Sequence, residues 1–267
     1  MSRRVRLAAA VAVIVGLTGA LLASAPASAD TIPSNPDRIV EPVIAGTKVN
    51  VPFGSCTVGA VLVPKSIFSR ITTYQRAVRW LVLAKHCAPM YATVSIGSSP
   101  LGNVVWRSAT SDIELVRVSP RRDTSREICY AHSNSPATCS PFVSYTPRAS
   151  GQVFARSAGR IARVPINGSA DPDGRFCTSG WASGVQCVWH GIAMPPNAQL
   201  AYQHLAAADA DELTNLAPGD SGGPVVSYSN QLLGIISSNF TSTTIMLYTP
   251  IRQVLTELFS YELAPAS

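Results

Sequence analysis

Residues 216–226 read LAPGDSGGPVV. A single serine, Ser221, stands between an aspartate and two glycines, where the backbone must turn sharply. Pro224, Val225 and Val226 then resume an apolar, strand-forming run. A hydroxyl presented on a tight Gly-rich turn that feeds a strand is a candidate nucleophile. The question is which base serves it, and the rest of the chain is read with that question in mind.

The pentapeptide G-D-S-G-G also fits the G-x-S-x-G nucleophile elbow, which requires a helix after the serine and then an acid and a histidine downstream. Neither condition is met. A strand follows Ser221, and the four histidines, His86, His132, His190 and His204, all precede it. The remaining chain order is His, Asp, Ser. His86 ends the apolar run WLVLAKHC, which places its ring at a strand end. Asp112 opens SDIELVRV, another strand-like run. Glu114 and Asp123 are the alternatives for the acid. His132, His190 and His204 have no motif around them and read as structural.

The ends bound the compartment. Arg3, Arg4 and Arg6 precede an apolar run from Leu7 to Leu22, and Ala27-Ser28-Ala29 follows. This is the pattern of a secretory signal peptide over 1–29, cleaved after Ala29. A membrane anchor is the other reading of the run, but 16 residues fall short of the roughly 20 that a spanning helix needs. The protein is therefore expected outside the cell, with no stable membrane anchor after cleavage. Removing the three head arginines from 21 basic residues leaves 18 against 15 acidic, a net charge of +3, and no lysine run points to nucleic acid. Six cysteines remain, Cys56, Cys87, Cys129, Cys139, Cys177 and Cys187. An even count in an exported chain reads as disulfides. Sequential pairing is the simplest of the possible connectivities. No metal-ligand spacing appears, so neither a metal nor another cofactor is expected.

Along the chain the signals are short strands: VNV, CTVGAVLV, RWLVLA, ATVSIG, NVVW and DIELVRV, then FVSYT, GQVFARS, RIARVPI, VQCVWHGIAM, GPVVSYS, QLLGIISS and TTIMLYTP. Between the two series, SPRRDTSREICYAHSNSPATCSP is polar and turn-rich and reads as a linker. One helix is expected at the end, in TPIRQVLTELFSYEL, where Ile251, Val254, Leu255, Leu258 and Phe259 recur at helical spacing.

CTVGAVLV, the His86-Cys87 dipeptide, DIELV, PGDSGGPVV, LLGIISS and MLYTPI occur in this order over about residues 50–252. With them the chain resembles the chymotrypsin/trypsin-like serine proteases, and in particular the secreted bacterial branch of streptogrisins and α-lytic protease. The resemblance implies an all-β fold of two antiparallel six-stranded β-barrels with a C-terminal α-helix. It divides the chain into an extended segment over 30–44, a first barrel over 45–125 and a second over 126–267. It implies a monomer acting on protein or peptide substrates, with His86, Asp112 and Ser221 as catalytic triad and the N–H groups of Gly219 and Ser221 as oxyanion hole. Asn215 and Leu216 would shape the pocket for the residue before the scissile bond, and Ser237, Ser238 and Asn239 would pair with the substrate backbone. The uncharged Asn215 implies cleavage after small or medium apolar residues.

The resemblance leaves Asp220 to be explained, because a buried charge needs a partner. Arg156, in GQVFARSAG, is nominated. An amine freed before Ile39-Val40, after Arg38, is the alternative. Three features depart from the family: Lys85 before the histidine, an extra segment PKSIFSRITTYQRAVR that could cover the cleft, and a stretch before the catalytic region that is short for a folding pro-region. Lys85 keeps a binding module without chemistry as a rival reading, and an esterase using the same triad is another. Asn167 and Asn239 begin N-x-S/T sequons.

Overall fold

A computed structural model describes residues 36–132, 135–196, 198–211, 216–240 and 244–267. The expected signal peptide lies outside these residues, and so does Asn215. Among the described residues no helix is long and apolar enough to cross a membrane.

The chain opens with strands β1 (Val43–Ala45), β2 (Lys48–Val51), β3 (Gly54–Thr57) and β4 (Ala60–Pro64), then a short helix α1 (Thr73–Ala77). Strands β5 (Arg79–Leu83), β6 (Thr93–Ile96), β7 (Ser99–Arg107) and β8 (Glu114–Val118) follow. A long hairpin of β9 (Arg121–His132) and β10 (Ser135–Thr146) leads to β11 (Ala149–Ser157) and β12 (Arg160–Pro165). The second half consists of β13 (Arg175–Gly180), β14 (Gly184–Ile192), β15 (Ala206–Ala210), β16 (Pro224–Val226), β17 (Leu232–Asn239) and β18 (Ile245–Pro250). Helix α2 (Ile251–Glu257) and strand β19 (Tyr261–Leu263) end it.

Strands β13–β18 close into a six-stranded barrel in the order 13-14-15-18-17-16. Strands β2–β8 and β19 form one sheet of eight, in the order 19-4-5-8-7-6-2-3, while β1 joins β11 and β12 in a sheet of three. The sheet of eight thus gains one strand from the chain's end, because β19 pairs with the edge of β4. The apolar runs in β4, β5 and β8 are nearly continuous because both faces of these strands are covered. Val61, Val63, Leu81, Leu83, Val116 and Val118 face the core enclosed by the first sheet. Their neighbours Leu62, Val82 and Leu115 face a second core, shared with Val226, Ile235 and the Ile251, Val254 and Leu258 face of the terminal helix. A third core, around Phe176, Trp189, Leu233 and Met246, fills the closed barrel.

Three expectations change. The polar stretch read as a linker forms the β9–β10 hairpin, pinned by Cys129–Cys139 directly across the strands. Its strands carry no apolar alternation because most of their residues are exposed and no core lies behind them. The terminal helix stops at Glu257, and Phe259 is 73% exposed. There the chain reverses, since Tyr261–Leu263 can complete the ladder on β4. The extra segment stays away from the cleft. It precedes β5, whose other end leads to His86, so it packs at the far end of the sheet. There Tyr74 meets Tyr145 edge-on, and Arg70 bonds Glu262 at 2.5 Å. Cysteines pair sequentially: Cys56–Cys87, Cys129–Cys139 and Cys177–Cys187.

Candidate active site

Leu83 pairs with Glu114 across β5 and β8, so the end of one strand and the start of the other lie together. His86, in a 3-10 turn over Lys85–Cys87, and Asp112 both project from that end. Asp112 is only 1% exposed, yet its charge has three donors. His86 gives Oδ1 its backbone N–H at 3.1 Å, and Oδ2 meets His86 Nδ1 at 2.8 Å. Ser237 Oγ donates to Oδ2 at 2.6 Å. The imidazole is thus held in one orientation, with its side chain 37% exposed. Ser237 was expected only at a substrate-pairing edge. Nothing local in the sequence marks its bond to Asp112, which joins residues 125 positions apart.

Ser221 sits opposite, on the turn before β16. His86 and Ser221 line one cleft of about 190 Å³ with Leu216, Ala217, Ile236, Ser238 and Asn239. Gly219 has φ of +107°, a conformation L side chains rarely adopt, and its carbonyl accepts from Thr57 Oγ1 at 2.7 Å. The Ser221 carbonyl accepts from Thr57 N–H at 2.9 Å. Thr57 therefore holds two carbonyls of the turn. Among the described residues, the N–H groups of Gly219 and Ser221 make no hydrogen bond.

Asp220 is buried beneath the turn. Its Oδ1 accepts from the N–H groups of Ala182 and Ser183 at 2.9 and 3.0 Å, and Oδ2 from that of Ala217 at 2.8 Å. The nominated partner is not there: Arg156 is exposed on β11, and no ion pair joins it to Asp220 among the described residues. Arg156 shares a face of β11 with Phe154, which is buried, but it stands two residues further on, at the exposed end of the strand. The cation that senses Asp220 is Arg38. It is 2% exposed, donates to Gly46 O at 2.8 Å and Ser179 Oγ at 3.2 Å, and lies 4.6 Å from the Phe154 ring centroid. Burial lowers its pKa to about 10, against the upward pull of Asp220. Ser179 adjoins Gly180, where the Asp220 carboxylate leaves no room for a Cβ. In the uncut chain Ile39 and Val40 are 47% and 44% exposed, and it is the arginine before them that reaches the buried region.

The other candidates are placed as follows. Glu114 is fully buried, with Arg107 Nε at 3.6 Å and the Ala88 N–H as nearest donors, and neither of its oxygens makes a well-formed hydrogen bond. Burial raises its pKa to about 9, outweighing Arg107. Asp123 is on the β9–β10 hairpin and accepts from Ser125 N–H. His190 lies 3.3 Å from Asp211, His204 is exposed, and His132 ends β9. Lys85 directs its ammonium to the Tyr202 ring, 5.7 Å from the centroid.

The trypsin family profile matches residues 76–256. Similar solved structures include Thermobifida fusca protease A and Nocardiopsis protease, each 20% identical with a TM-score of 0.54, over 83% of this chain and 98% of theirs. The chymotrypsin of Cellulomonas bogoriensis is 18% identical with a TM-score of 0.53, over 84% of this chain and 98% of its own. No curated protein matches the chain. At these identities the structures speak for the fold, and the profile, which spans more than half of the sequence, settles the lineage: the chain belongs to the trypsin family of serine proteases.

Proposed function

We propose that the protein is a secreted serine endopeptidase that works through His86, Asp112 and Ser221 and an acyl-enzyme. The observation that carries this reading is the chain of short bonds from Ser237 through Asp112 to His86, in a cleft that also holds Ser221. A serine hydroxyl needs a base to become nucleophilic. His86 takes the Ser221 proton as Oγ attacks the substrate carbonyl, and Asp112 stabilises the imidazolium that forms. Negative charge gathers on the carbonyl oxygen, where the unengaged N–H groups of Gly219 and Ser221 receive it. One such donor contributes about 3 kcal/mol. His86 then gives its proton to the leaving amine, which departs with the C-terminal fragment. Water, deprotonated by the same imidazole, releases the acid and restores Ser221.

Arg38 takes the role first given to Arg156. It supplies the positive charge that faces Asp220 from within an uncut chain. The apolar lining of the cleft by Leu216, Ala217, Pro218 and Ile236 supports cleavage after small or medium apolar residues. Ser238 and Asn239, exposed on β17, offer the edge for the acyl-side backbone.

A fluorophosphonate probe tests the reaction. The oxidised, folded protein is expected to label at Ser221, and Ser221→Ala to stay unlabelled. An unlabelled native protein would instead mark a binding module. Casein hydrolysis compared with that of a simple ester separates protease from esterase, and a dominant Arg or Lys preference in a peptide library would overturn the pocket assignment. Export with cleavage after Ala29 predicts a mature protein in the medium that begins at Asp30.

A further inference from the structure

A second surface borders Gly219, and the catalytic reading leaves it unused. In the β2–β3 hairpin Lys48 pairs with Thr57 and Asn50 with Ser55, so these four side chains share one face. Val49 and Cys56, between them, turn into the core. The outer face rests on the nucleophile turn. Thr57 Oγ1, which donates to Gly219 O, also accepts from Trp181 N–H at 3.0 Å. A Cβ added at Gly219 would lie 2.6 Å from Trp181 Nε1 and 3.5 Å from Ser55 Oγ. Lys48 Nζ stands 3.8 Å from the Trp181 ring centroid. Among the described residues no carboxylate comes within ion-pair distance of Lys48.

The backbone here is open as well. β3 is the last strand of its sheet. Thr57 N–H points away from β2, to Ser221 O. Ser55, two residues earlier, therefore presents its N–H and C=O along the same free edge. This edge lies on the leaving side. The acyl half of a substrate occupies the cleft between Leu216 and Asn239, whereas His86, which must protonate the departing amine, precedes Cys87. The Cys56–Cys87 disulfide carries the path directly to Ser55. On the same face as Ser55 stands the Lys48 ammonium, already held over an indole face, so little side-chain freedom is lost when it meets an anion.

We infer that Ser55, Trp181 and Lys48 form a leaving-side subsite that selects peptides carrying Asp or Glu two or three residues after the scissile bond. The inference rests on the catalytic reading for its direction. Its test compares peptides identical except for Asp, Asn or Lys at those two positions. At low salt kcat/KM is expected to be about three- to tenfold higher for Asp than for Asn, and lower still for Lys, with the difference carried by KM. Screening in 1 M salt should shrink the gap. Lys48→Gln removes the preference, Lys48→Arg keeps it, and Lys48→Glu reverses it. If Lys48 served only to cover Trp181, these variants would change thermal stability and leave the order of substrates intact, which overturns the subsite. Calorimetric binding of the same peptides to full-length Ser221→Ala is expected to give the same charge order. That arm separates the two readings. A native protein that fails to label but whose Ser221→Ala form keeps the charge order refutes the catalysis and retains the subsite. Labelling with no charge order in turnover or binding does the reverse.

Discussion

Two regions of the cleft bury carboxylates and treat them in opposite ways. At the entry to β8, Asp112 receives two donors from His86 and one from Ser237, while Glu114, two residues on, makes no well-formed hydrogen bond. In the turn before β16, Asp220 is as buried as Asp112, but its donors are three backbone N–H groups, with the Arg38 charge behind them. At Glu114 burial raises the pKa, because no well-formed hydrogen bond offsets the loss of water. On the proposed reading, side-chain donors hold the His86–Asp112 pair, whereas backbone donors fix the turn that carries Gly219 and Ser221.

Asp112→Asn should have the largest effect. It keeps the shape but loses the charge that orients and stabilises His86, and kcat should fall about 10⁴-fold with little change in KM. If Asp112 only buttressed the fold, thermal stability would fall with activity, and circular-dichroism melts decide between the two.

Asp220→Asn comes next. It replaces one acceptor of the backbone N–H groups with an NH₂, loosens the turn and removes the negative charge that Arg38 senses. A loss of about 1–3 kcal/mol in unfolding free energy is expected, as for buried donors left without an acceptor. Arg38→Gln should lower kcat by roughly ten- to a hundredfold, the share of one partly misaimed oxyanion donor. Arg38→Lys should recover part of that loss. Equal kcat for Arg38→Gln and the parent would remove Arg38 from the site.

Glu114→Gln sharpens the contrast through pH. The folded protein holds the Glu114 proton up to about 9, whereas the unfolded chain releases it near the ordinary value of 4.5. Between those limits the native state binds the extra proton, so the stability it contributes is whole at acid pH and is lost as pH rises toward 9. Glutamine does not titrate. The stability difference between Glu114→Gln and the parent should therefore grow across pH 5–9, by at most about 1.4 kcal/mol per pH unit. A constant difference in urea titrations would mean that Glu114 is ionised in the fold. Smallest of all, Arg156→Ala should shift stability by under about 0.5 kcal/mol, as expected for an exposed side chain, and leave activity unchanged.

Much of this was legible before any coordinates. PGDSGGPVV carries its own turn chemistry. The apolar runs ending at His86 and starting after Asp112 say that both residues stand at strand ends, and the absence of a histidine after Ser221 fixes the chain order. These are local statements, and strand periodicity, turn residues and order along the chain are local properties. The polar β9–β10 hairpin was not legible, because a strand with no core behind it carries no apolar alternation.

Partnership across the chain was beyond the sequence for a different reason. Ser237 meets Asp112, Thr57 holds the Gly219 carbonyl, and Arg38 rather than Arg156 is the buried arginine that senses the charge of Asp220. On residue type alone both arginines suited a buried carboxylate. Which one is buried depends on Arg156 standing at the exposed end of β11 and on how the segment before β1 packs against Ser179 and Phe154. The sequence by itself determined the chemistry available and the order in which it is laid out. Only the tertiary structure decided which groups are desolvated together, because burial and long-range pairing belong to the packed whole and not to any one stretch of chain.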